Sequence, residues 1–165
     1  MNAEDLRTLQ APLKQGYRDH PETARIPAHA EAILSLDSIA CTIPTAAGPV
    51  TAGLHQAAGG TGTQACSADM LLEAVVACAG VTLRAVATAM GITIRAGRIA
   101  ADGIWDVRGT LGIDRATPVG LTEITLTFDL DCDADDAKRE RLIQTTERYC
   151  VILQTLRTPP KITIA

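Results

Sequence analysis

The 165-residue sequence predicts one α+β domain built around a long central helix. Three observations carry that expectation. An apolar helical pattern covers residues 67–90 with little interruption. β-type runs lie on both sides of it instead of alternating with further helices, so no parallel α/β sheet is expected. A second helical pattern lies near the end of the chain. The expected order is βββ–α–βββ–α–β, with residues 1–24 as an N-terminal helical extension and the whole of 1–165 as one domain.

The extension forms a short amphipathic helix from about Asp5 to Tyr17, with Leu6, Leu9 and Leu13 on one face. Pro12 and Gly16 weaken it. After the irregular stretch RDHPETARIP, a strand is expected over His29–Ile43 and a second over Pro49–His55, joined as a hairpin by TAAGP. The glycine-rich segment QAAGGTGTQACS then leads into the central helix. Its Gly59-Gly60-Thr61-Gly62 lacks a following Lys-Ser/Thr, so it is not a P-loop, and a flexible connection is the default for it.

The central helix is expected over Ser67–Met90, with Ser67 as cap, Asp69 in the first turn and Gly91 as stop. Leu71, Leu72, Val75, Val76, Val81, Leu83 and Val86 distribute apolar side chains round its whole circumference. Such a helix needs cover on every side, from its own sheet and from another subunit. Gly80 costs about 1 kcal/mol relative to Ala in mid-helix, a cost that close approach of a second backbone would offset. Three β runs follow, Thr93–Ala101, Trp105–Gly112 and Leu121–Leu130, with Asp102-Gly103 as a hairpin turn. The last alternates, Ile124, Leu126, Phe128 and Leu130 facing one way. A second helix runs from about Asp135 towards Thr158, with Leu142, Thr146, Cys150 and Leu153 on one face. Pro159-Pro160 ends it, and Lys161–Ala165 suits a last strand.

Hydrophobic residues make up 47% of the chain but aromatics only 2%, so the core must be built from Ala, Val, Ile and Leu. A formal net charge of -4 and no basic patch argue against nucleic acid as a partner. Glu73 and Arg84 interrupt the apolar run Met70–Met90, which argues against a membrane span. The N-terminal stretch carries Glu4 and Asp5 and no apolar core, so no signal peptide is expected and the protein is placed in the cytoplasm.

The five cysteines, Cys41, Cys66, Cys78, Cys132 and Cys150, form no CxxC pair and no Cys/His cluster, so neither zinc nor another metal or cofactor is expected. In a reducing compartment a buried, inert thiol is the default for each. Cys78 lies eleven residues into the central helix, beyond the reach of the helix dipole, and Thr82 is its one helical neighbour able to hydrogen-bond. An activated Cys78 would need a cation from elsewhere in the chain or from a partner chain. Cys150 has Glu147 three residues before it, and a carboxylate there would raise its pKa, which suits a resolving thiol. His55 beside the glycine-rich loop is the histidine placed to reach a site, though a surface or hydrogen-bonded loop role is its default, and Arg25 is by default a solvated arginine.

The segment SADMLLEAVVACAGVTLRAVATAMGI resembles the signature helix of the OsmC/Ohr family (osmotically induced protein C and organic hydroperoxide resistance protein), with Cys78 in its middle. TERYCVILQTLRTPPKI resembles the family's second cysteine segment, and the order of elements agrees over about residues 25–165. The resemblance implies an intertwined homodimer in which the central helices of both chains pack between two sheets. It implies a thiol-dependent peroxidase acting on organic hydroperoxides, with Cys78 attacking, Cys150 resolving and a dithiol reductant reopening the disulfide. It implies an arginine near the N-terminus that stabilises the thiolate, for which Arg25 is the closest equivalent by order. The chain departs from the family pattern in two places: Ala68 replaces a glutamate ten residues before Cys78, and Val151 replaces a proline after Cys150. The alternative is a family member without peroxidase activity that binds a small apolar molecule or senses redox state.

Overall fold

The computed structural model describes residues 1–164. The chain divides into two compact units. One contains Met1–Pro27, Ala74–Ala100 and the chain from Thr127 on; the other contains Ala28–Glu73 and Ala101–Leu126.

In the first unit, α1 (Ala3–Asp19) opens on a capping box. The Asn2 side chain accepts from the N–H groups of Glu4 and Asp5, and the Asp5 carboxylate accepts from the Asn2 N–H. Leu9 and Leu13 stay about half exposed, and no residue of α1 is buried. The central helix, α2 (Ser67–Ala89), starts at Ser67 itself and passes through both units. It ends where Gly91 takes φ +64°, which lets the Ile92 N–H reach the Ala87 carbonyl at 2.9 Å. Val75, Ala79, Leu83 and Ala87, each four residues from the last, are buried. The opposite side is open: Val81 is 73% exposed. By length and composition alone α2 could cross a bilayer, a test that the core helix of a soluble protein also passes.

Strands β4 (Ile94–Ile104) and β5 (Glu123–Cys132) pair as a two-stranded sheet. Hydrogen bonds from Thr122 to Ile104 and from Asp133 to Thr93 at its two ends make it antiparallel. Every second residue of β5 from Ile124 is half-buried, the alternation that the sequence predicts. In the first unit Leu83, Ala87, Ile92 and Leu142 form the buried core, against Ile94, Ile99, Phe128 and Leu130 of the strands.

Four expectations need correction. The strand expected over His29–Ile43 is two strands, β1 (Ile33–Leu34) and β2 (Ala40–Ile43). The Ser35 hydroxyl accepts from the Asp37 N–H and from the Ser38 hydroxyl, closing a turn between them. The hairpin of β2 with β3 (Val50–Gly53) is present, in the register Ile43 opposite Val50. Asp102-Gly103 is no turn but lies inside β4. There Gly103 permits close packing: an added Cβ would lie 3.0 Å from Leu121 Cδ2 and 3.2 Å from Leu72 Cδ1. The strand expected over Trp105–Gly112 is replaced by the short helix α3 (Val107–Thr110), because the Asp106 carboxylate caps it by accepting from the Arg108 N–H and guanidinium. Finally, residues 161–164 form no strand, with Ile162 and Ile164 80% and 93% exposed. The last residue of that expected strand, Ala165, lies outside the described residues.

The second helical stretch is also broken. α4 (Asp136–Tyr149) starts at the Asp135 side chain, which accepts from the Lys138 N–H at 2.7 Å. At Cys150 the backbone turns to φ −74°, ψ 108°, and α5 (Val151–Arg157) begins on the next residue.

Candidate functional site

That break builds the site. In an unbroken helix the N–H groups of Val151 and Ile152 would donate to the carbonyls of residues 147 and 148. The extended conformation at Cys150 takes them out of that ladder, and the first backbone bond of α5 is Gln154 N–H to the Cys150 carbonyl, 3.0 Å. The freed N–H groups of Val151 and Ile152 instead act on Cys78, whose pKa they lower. The Cys150 thiol and the Thr82 hydroxyl lower it too. All these groups belong to the first compact unit.

Two opposite shifts result. Burial is the largest single influence on Cys78 and raises its pKa. The hydrogen bonds from Ile152, Cys150, Val151 and Thr82 together exceed it, so the thiol is held below its ordinary value of 9.0. Burial raises the pKa of Cys150 above that value, and the contact with Cys78 raises it further, against N–H bonds from Leu153 and Ile152. Cys150 is fully buried, with Thr146 and Leu142 one and two turns before it, while Cys78 is partly exposed. Cys78 thus carries the more acidic and more accessible sulfur, and Cys150 offers it a proton and a second sulfur.

Two groups acting on Cys78 were hidden in the sequence. Backbone amides leave no residue-type signature, and their release depends on the break. Val151 does carry a signal: a proline there would have no N–H to give. Glu147, expected to raise Cys150, is not among the groups that shift it; its carboxylate is ion-paired with Arg157. Arg25 is exposed at the end of a 3₁₀ turn, Pro21–Ala24, and is not among the groups that lower the Cys78 pKa.

The remaining candidates lie elsewhere. In the second unit His55 Nδ1 accepts from the Ala57 N–H at 3.1 Å, and its ring meets that of Trp105 edge-on, centroids 4.9 Å apart. Both line a cavity of about 410 Å³ together with Cys66, Leu71 and Leu121. Cys41 sits in β2 opposite Ala52, and Cys132 ends β5. Among the described residues no three His, Cys, Asp or Glu side chains converge as a metal ion would need.

The family model described as OsmC-like protein matches residues 60–165, which include both cysteines of the site. The chain belongs to the OsmC-like family. No curated protein sequence matches it. Solved structures share its fold at low identity. An OsmC-like protein from Mycoplasma pneumoniae is 21% identical with a TM-score of 0.67, over 81% of this chain and 89% of that one. The organic hydroperoxide resistance protein OhrB of Bacillus subtilis is 20% identical with a TM-score of 0.56, over 81% and 93%. An organic hydroperoxide resistance protein OsmC from Legionella pneumophila is 15% identical with a TM-score of 0.57, over 81% and 93%. This OsmC-like chain therefore has the expected α+β fold at a sequence distance where its own residues must carry any statement about activity.

Proposed function

We propose that this OsmC-like protein is a thiol-dependent peroxidase that reduces organic hydroperoxides through Cys78 and Cys150. What supports the reading is the helix break at Cys150, which brings that thiol and the freed amides of residues 151 and 152 to act on Cys78, holding Cys78 below its ordinary pKa while burial pushes Cys150 up. The Cys78 thiolate attacks one oxygen of the hydroperoxide; an S–O bond forms, the O–O bond breaks, and the second oxygen leaves as alkoxide. The Cys150 thiol, close enough to Cys78 for each to shift the other's pKa, gives that alkoxide its proton and becomes a thiolate. It then attacks the sulfenic sulfur; the S–S bond forms, the S–O bond breaks, and the hydroxide that leaves takes a proton from solvent. A dithiol reductant reopens the disulfide, in keeping with a cytoplasmic location. We keep Arg25 as the candidate cation for the thiolate, acting within the chain or from a second copy.

The reading includes a homodimer. On α2 the side carrying Val76, Ala77, Gly80 and Arg84 lines an open groove of about 460 Å³ against Ile94 and Leu130. A Cβ added at Gly80 would meet nothing within 4 Å, so the close approach its glycine permits is not made within one chain. The same helix of a second copy suits that groove.

The test measures consumption of an organic hydroperoxide with dihydrolipoamide as the dithiol. Wild type should turn over, Cys78→Ser should not, and Cys150→Ser should stop after one turnover with a trapped sulfenic acid. Full turnover with serine at position 78 would overturn the reading. Sedimentation of a stable monomer at micromolar concentration would remove the homodimer.

A further inference from the structure

The break at Cys150 has a cost that another residue meets. The extended conformation at Cys150 takes the Val151 N–H off the helical ladder and leaves the Glu147 carbonyl without its helical donor. The Gln154 side chain supplies one: its Nε2 donates to the Glu147 carbonyl at 2.9 Å. Gln154 N–H meanwhile makes the first backbone bond of α5, to the Cys150 carbonyl. One residue therefore grips both sides of the break, the last turn of α4 with its side chain and Cys150 with its backbone. The Arg157–Glu147 ion pair crosses the same break, but Arg157 is 65% exposed and such a pair contributes little.

We propose that Gln154 is a positioning residue for the Cys78 site: its side-chain amide takes the place of the Val151 N–H on the Glu147 carbonyl and so keeps the Val151 and Ile152 N–H groups aimed at the Cys78 sulfur. Without that amide, the Glu147 carbonyl competes for the Val151 N–H, and the break tends to close into a continuous helix. Gln154 is exposed and touches neither sulfur with its side chain. It acts only through the backbone. The titratable group facing Cys78 from the α4–α5 side is the Cys150 thiol, and α2 itself presents the Thr82 hydroxyl.

This deepens the reading of Cys78 as the reacting thiol, but its test needs no peroxide. The rate of Cys78 alkylation by iodoacetamide is measured against pH, with the site located by peptide mass spectrometry. Gln154→Met keeps the length and helix preference and removes the donor. It should move the profile to higher pH and slow alkylation at pH 7 by about threefold to tenfold, the worth of one net hydrogen bond. Gln154→Lys keeps a donor on a long side chain and should stay at or below the wild-type midpoint. Superimposed Gln154→Met and wild-type profiles would overturn the proposal, as would an equal upward shift in both variants. Circular dichroism checks that each is folded. A wild type that fails to reduce peroxides would leave this test intact.

Discussion

Replacing Val151 with proline should raise the Cys78 pKa while disturbing little else. Position 151 is the first residue of α5, where proline is tolerated because its φ suits a helix start. Cys150, at ψ 108°, already has the conformation that a residue before proline prefers. Val151 is 68% exposed, so no core packing is lost. What disappears is one of the N–H groups that lower the Cys78 pKa. Hydrogen bonds to charged groups are worth about 1.5–3 kcal/mol net. Sulfur is a weaker acceptor than oxygen, and Ile152, Cys150 and Thr82 remain, so we take about 0.7–1.4 kcal/mol, or about half to one pKa unit. The sign follows from the thiolate being the form stabilised. Reactivity is present above the Cys78 pKa and lost as pH falls through it, so a higher pKa moves that loss to higher pH. At pH 7 the thiolate fraction should drop about threefold to tenfold. The assay is the alkylation rate of Cys78 between pH 5 and pH 10 (about the span that brackets a shifted thiol). Val151→Ala keeps the N–H and should retain the wild-type profile. A Val151→Pro profile that superimposes on wild type would refute the role given to the backbone amide.

Three further outcomes follow from other contacts. Cys150→Ala removes both the thiol donor and the resolving sulfur, so Cys78 alkylation should shift to higher pH and no Cys78–Cys150 disulfide should form under mild peroxide, read by mass spectrometry. Leu142 is fully buried in the core beside Leu83, and Leu142→Ala should cost about 2–5 kcal/mol in urea unfolding; a loss under 1 kcal/mol, roughly, would mean that the site collapses freely. Gly91→Ala forces a side chain into φ +64° at the end of α2 and should cost about 1 kcal/mol by the same measurement, with Cys78 reactivity unchanged.

Local pattern was enough where one residue type enforces one conformation or one face. The apolar run from Ser67 and Gly91 at its end define α2 to within a residue of its observed bounds, because a left-handed glycine stops a helix whatever surrounds it. Alternation placed β5, and Asp135 placed the start of α4. Asp102-Gly103 misled for the opposite reason: the pair suits a turn in isolation, yet Leu72 and Leu121 pack closely against the glycine inside a strand. Asp106 likewise turned an apparent strand into a helix through a capping bond that has no alternation signature.

By itself the sequence determined the helix that holds Cys78, the helical face that holds Cys150, and the α+β class. These are local consequences of side-chain spacing and order. Only the tertiary structure decided that the helix breaks at Cys150 and that Cys150 and the amides of Val151 and Ile152 come to act on Cys78. Every residue but proline carries the same N–H, so which of them is free to bind a thiolate depends on where the chain leaves its own hydrogen-bond ladder. That departure is settled by packing between segments about seventy residues apart, beyond the reach of any local pattern.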